Sequence, residues 1–206
     1  MFPTVQSNTN DLRSALSKSQ VTPSDNSGAG KAFIKFNYKD GSFTFGREAE
    51  DISGETIIIN TATIHHGWTM WVNGSPTKVS ASFAQPLPEQ PAPVDGNAPT
   101  ESRSFEAAFP EKEDDTVLVF DSNSYGGRKG VDAVLQEVIS RSGLSDTAFL
   151  FPVVQLNSES YTAKQGGLIH NPVFAIVDWM DVEGNLESAS KKIAEEKPKR
   201  RRRAKA

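Results

Sequence analysis

Short apolar runs separated by turn residues, with little helical periodicity, set the rhythm of this chain. The first patterned residues begin at Lys31. KAFIKFNY (31–38) and SFTF (42–45) are aromatic and β-branched runs around Lys39-Asp40-Gly41, a hairpin-like turn. ETIIINTATI (55–64) is the strongest strand candidate, with Ile57, Ile59 and Thr61 on one face and Ile58 on the other. Residues 68–72 and 77–83 flank Asn73-Gly74 and predict a second hairpin, and Ser75-Pro76 argues for a loop longer than two residues. Residues 116–120 read as a buried strand. AFLFPVVQL (148–156) and LIHNPVFAIVDW (168–179) read as strands too, each with a proline that signals an edge, a bulge or a strand start. Only one convincing helix is predicted. Val131, Val134, Leu135, Val138 and Ile139 recur at helical spacing, Arg141 falls near the end, and Gly143 stops it.

Together these elements predict a mainly β (α+β) fold: a small OB-like β-barrel or sandwich of six to eight short strands with one main helix and disordered termini. A doubly wound parallel sheet is excluded, because strands and helices do not alternate. Residues 1–30, rich in Ser, Asn, Thr and Gly, read as a flexible arm, and 31–185 as a single β-rich domain. Within it, 84–115 reads as an excursion: five prolines punctuate its first half and Glu111, Glu113, Asp114 and Asp115 close its second. Residues 186–206 read as a disordered basic tail.

Composition narrows the chemistry. The 206 residues include no cysteine, which removes disulfide scaffolds, thiol catalysis and cysteine-ligated zinc. Three histidines leave little from which to build a metal hydrolase, and no cofactor is expected. No run approaches the roughly 20 apolar residues of a membrane helix, and the first twenty residues lack a basic start followed by an apolar core. A cytoplasmic protein with no membrane contact is the expectation. The net charge of −4 is an average of unlike parts: residues 191–206 carry +7 and residues 1–190 carry −11. Most of that acid lies in 86–121 and 178–190, outside the best-patterned segments, so an anionic partner remains compatible with the sequence.

Several residues are candidates for such a partner. Asp121-Ser-Asn-Ser-Tyr-Gly-Gly-Arg-Lys-Gly130 lies between a strand and the helix, where backbone N–H groups, Arg128 and Lys129 could meet a phosphate; the plainer reading is a glycine-permitted turn. It lacks the Gly-Lys-Ser/Thr ending of a nucleotide-hydrolase loop. His65 and His66 are neighbours on a strand and point to opposite faces, so they cannot readily share a metal. Trp68 and Trp71 differ by three and also fall on opposite faces, one for the core and one as a platform for a base. Lys35, Tyr38 and Lys39 interleave cations with aromatics as single-strand binders do, and Tyr161 with Lys164 repeats the pattern in a second turn. The same aromatics could equally be core. Arg200, Arg201, Arg202 and Arg203 head a cationic end whose contact with nucleic acid would be sequence-independent and salt-dependent. No nucleophile elbow, His-Glu-x-x-His helix or kinase-like set exists, and no catalytic residue is expected.

Four separated motifs occur in order: Gly67, Trp68, Trp71, Gly74 and Pro76; Ser122, Gly126 and Gly127; Pro152 to Leu156 with Ser160 and Tyr161; and Pro172, Phe174, Ile176, Val177 and Trp179. Over about 60–180 this order resembles a family of small phage-encoded proteins, which in turn resemble the oligonucleotide-binding-fold proteins that coat single-stranded DNA in phage replication and recombination. The resemblance implies single-stranded nucleic acid as ligand, replication or recombination proteins as partners, and no enzymatic activity. The chain departs from the pattern at Ser104-Phe105-Glu-Ala-Ala-Phe109, where a tryptophan is expected, and in its basic rather than acidic end. The alternative from the residues is a phage structural or assembly protein, a homo-oligomer whose basic tail meets DNA or an acidic partner. A nucleic-acid-processing enzyme is a weaker third reading.

Overall fold

The computed structural model describes residues 30–110, 116–142, 148–163 and 166–188. Nine strands form one sheet: β1 (Lys31–Phe36), β2 (Phe43–Phe45), β3 (Glu50–Asp51), β4 (Thr56–Val72), β5 (Ser75–Ser82), β6 (Thr100–Ala108), β7 (Val117–Ser122), β8 (Phe149–Thr162) and β9 (Leu168–Asp181). The helix α1 (Tyr125–Ser142) joins β7 to β8. The order is β3-β2-β1-β7-β6-β4-β8-β9, with β5 on β4. All pairs are antiparallel except β1 with β7. The mainly β class and the single helix agree with the sequence pattern, and the sheet curls into a half-barrel.

The strands are more numerous and longer than the six to eight short ones expected, because turn residues were read as breaks. β4 alone takes up 17 residues, fusing the two runs at 55–64 and 68–72 through His65-His66-Gly67 with a shift of register between Asn60 and His65. Its first half pairs with β8 and its second with β5, while β6 runs along its other edge. The β4–β5 loop has only two residues, since Val72 pairs with Ser75. Asn73 and Gly74 both adopt positive φ, as a tight hairpin requires, and Pro76 is tolerated on a strand with no second neighbour. Residues 100–108, read as part of the 84–115 excursion, instead form β6 near the middle of the sheet. The remainder of the excursion, through Pro99, stays outside the strands except for a small bridge between Val94 and Asn97.

One core fills the hollow of the half-barrel. Phe105 stacks on Phe120, and Phe174 meets Phe43, Phe105 and Phe120 edge-on at 5.0–5.9 Å. Phe174 belongs to the last strand of the order and Phe43 to the second, so this cluster draws the two ends of the sheet together. A backbone bond from His170 N–H to the Tyr38 carbonyl (2.8 Å) joins the same two regions. Helix α1 buries Val131, Val134 and Leu135 in this core. It begins six residues before the first residue of the predicted period, because Ser124 caps it by accepting from Gly127 N–H at 3.0 Å. The glycines that follow allow a close approach. A Cβ at Gly126 would lie 2.2 Å from Asn171 Oδ1, and one at Gly127 2.1 Å from Ser122 Oγ. Among the described residues, no helix is long and apolar enough to cross a membrane.

Candidate nucleic-acid interface

Alternation along the strands divides the sheet into an inner face on the core and an outer face. In β1, Ile34 is buried while Lys31, Phe33 and Lys35 are exposed. Lys31 reaches Glu106 of β6 at 2.8 Å, across β7, so that side continues over neighbouring strands. In β4, Trp71 and Thr69 share one side and Trp68 and Met70 the other. Thr69 pairs with Lys78 and Trp71 with Pro76 in β5. The β4–β5 crossing is tight at Gly67, where a Cβ would lie 2.0 Å from the Val79 carbonyl oxygen.

Between these strands opens a cleft of about 930 Å³. Its walls are β1 and Tyr38, the tip of the β4–β5 hairpin, the β7–α1 junction, and the distal arm of β8–β9. Lys35, Tyr38, Trp71 and Tyr161, four residues singled out in three separate parts of the sequence, all line it. Phe33 and Tyr125 join them, and the five aromatic rings are 45–73% exposed. Large aromatics left this open in one concavity are unusual for a surface whose other large apolar side chains are mostly in the core. Tyr125 was not singled out by the sequence reading. Its signal was available: an aromatic at the first turn of a helix, directly after a serine cap, has no core to reach.

The cleft also holds polar groups. Lys35 has no ion-pair partner among the described residues, whereas Lys78 is paired with Asp121. Asn123, Ser124, His170 and Asn171 lie on the wall formed by the helix start and the β9 arm. The Thr69 hydroxyl, on a residue 93% buried in the cleft lining, has no hydrogen-bond partner among the described residues. Lys39 sits in the β1–β2 turn just outside, where Asp40 accepts from Ser42 Oγ and Ser42 N–H. Those two bonds hold the Asp40 carboxyl below its ordinary range.

Other predicted residues are placed elsewhere. Trp68 donates its indole N–H to the Pro88 carbonyl at 2.8 Å and so pins the proline-rich segment to the sheet. His66 Nε2 donates to the Gln85 carbonyl at 2.9 Å, and its ring lies against Phe83. These contacts make Trp68 a structural residue, while Trp71 is left open. Arg128 is bound to Glu101 at 2.6 Å and Lys129 to Glu159 at 2.9 Å. The Glu159 partner raises the Lys129 pKa, and Lys129 lowers that of Glu159. Both cations of the strand-to-helix turn are thus already neutralised, and Gly126 and Gly127 serve close packing. Lys164 and Arg200, Arg201, Arg202 and Arg203 lie outside the described residues, as do the arm before Gly30, the acidic residues 111–115, Gly143 and the chain from residue 189 onward.

Among the described residues no three His, Asp or Glu side chains come together in a group that could hold a metal ion. Compared with protein-family models, curated proteins and solved structures, the chain gives no match.

Proposed function

We propose that this protein binds single-stranded nucleic acid without chemical turnover, as an oligonucleotide-binding protein of phage replication or recombination working in the cytoplasm of the host. The observation that carries this reading is the convergence of Phe33, Tyr38, Trp71, Tyr125 and Tyr161 on one open cleft beside an unpaired Lys35. Unstacked bases have two exposed π-faces, and stacking on an aromatic ring stabilises binding by about 1–3 kcal/mol per base whatever the base. A duplex keeps its bases stacked on one another and offers a cleft of this kind only its backbone. The buried Thr69 hydroxyl adds a hydrogen-bonding group suited to a polar ligand. A curled, barrel-like sheet with one working face is also the architecture on which oligonucleotide-binding folds operate.

Fluorescence anisotropy with labelled oligo-dT and a duplex of equal length, across a range of salt, tests this reading. Tighter binding of the single strand, with affinity falling as salt rises, is expected. Equal affinity for the two forms at every salt concentration would overturn it and favour a structural or assembly role.

A further inference from the structure

The cleft and the basic tail are at opposite ends of the same strand. β9 enters the cleft wall at Ile169–Pro172 and ends at Asp181. The last described residues are fixed to that far end. Leu186 bridges to Met180, Ser188 N–H and Oγ both donate to Asp178, and Glu187 pairs with Arg141 at 2.7 Å. Arg141 is itself held by the Phe149 carbonyl and lies 4.4 Å over the Trp179 ring. From His170 to Asp178 is eight residues of strand, or roughly 26 Å at about 3.3 Å per residue. Arg200 lies twelve residues beyond Ser188, a contour of at most ~40 Å. To lie in the cleft the arginines would have to stretch most of that contour back along the body, a costly arrangement for a tether.

The surface between adds a second constraint. Asp178, Asp181, Glu183 and Glu187 surround the anchor point, so the body there repels phosphate. Resting on the proposed function, we infer that the tail is a second phosphate-binding site on the same single strand, engaging nucleotides that have already left the cleft. Cleft and tail then act in series. The cleft stacks a few bases, and the arginines hold backbone beyond them by sequence-independent charge neutralisation. A strand too short to cover both gains nothing from the tail. At a phosphate every ~3.4 Å or more, the 26 Å between them corresponds to at most about eight nucleotides.

The test uses the full chain and a variant carrying Arg200→Gln, Arg201→Gln, Arg202→Gln and Arg203→Gln, with oligo-dT of about six and about thirty nucleotides, at low salt. Expected is an unchanged affinity for the short oligonucleotide and at least a tenfold loss for the long one, with a shallower salt dependence. Equal losses at both lengths would overturn the inference, since the tail would then share the cleft's nucleotides. No loss at either length would also overturn it, and would fit a tail lying on its own acidic anchor. A Trp71→Ala protein separates this from the cleft itself. If Trp71→Ala leaves short-oligonucleotide binding intact, the cleft reading fails, whatever the tail does.

Discussion

Two tryptophans three residues apart on β4 contrast the two sides of this sheet. Trp68 is half-buried, and its N–H is satisfied by a backbone carbonyl twenty residues away. Trp71 is 53% exposed, has no hydrogen bond among the described residues, and faces four other open rings across a cleft. The inner side ends in a phenylalanine cluster that joins the ends of the sheet. The outer side carries aromatics that join nothing. A side chain whose contacts are complete within the fold serves stability; one left incomplete at a concave surface is available to a ligand.

The contrast breaks most sharply at Phe105. Phe105→Ala removes a ring that stacks on Phe120 and meets Phe174, and should cost about 3–5 kcal/mol of stability in urea unfolding. Trp71→Ala should leave the unfolding midpoint nearly unchanged while weakening oligo-dT binding by about 1–3 kcal/mol, or roughly tenfold to a hundredfold. Trp68→Ala should reverse that pattern: a loss of about 1 kcal/mol of stability from the broken bond to Pro88, with single-strand affinity kept. If both tryptophan variants lose affinity equally, the division into faces is wrong. Lys35→Ala should weaken all oligonucleotides alike and lower the salt slope by about 0.7, the value for one phosphate contact on a single strand.

The smallest effect is on acid stability. Asp40, Asp51, Glu159 and Asp181 all have pKa values lowered in the folded protein: Asp40 and Asp51 by bonds from Ser42 and Ser53, Glu159 by Lys129, and Asp181, despite burial acting the other way, by Asn185. A lowered folded-state pKa favours the charged form, so this stability is present above the ordinary carboxylate range and is lost as pH falls through it. Lys129 has the opposite sign: its raised value contributes below the ordinary lysine range and is lost as pH rises past it. Thermal unfolding should therefore occur at a lower temperature at pH 3 than at pH 6, and Glu159→Gln should reduce that difference.

Much of the fold was legible in the sequence, because hairpins are local. Asn73-Gly74 and Lys39-Asp40-Gly41 both mark turns, and Gly41 adopts the positive φ that such a turn needs. β6 was hidden because its inward positions include Glu101 and Arg103, charges that look wrong for a central strand. They are compensated by Arg128 and Asp132 on the helix, partners 27 and 29 residues away that no local pattern reveals. The same separation concealed the neutralisation of Arg128 and Lys129. Strand parity put Trp68 and Trp71 on opposite faces, yet could not say which face was open. That depended on where the proline-rich segment folds back and where the β8–β9 arm lies.

The central claim, that Trp71 meets a nucleobase, is tested most directly by fluorescence of a Trp68→Phe, Trp179→Phe protein in which Trp71 is the sole tryptophan. Adding oligo-dT at low salt should quench its emission saturably, with the midpoint matching the binding curve from anisotropy. Binding seen by anisotropy with an unchanged Trp71 spectrum would contradict the claim and move the strand elsewhere on the molecule.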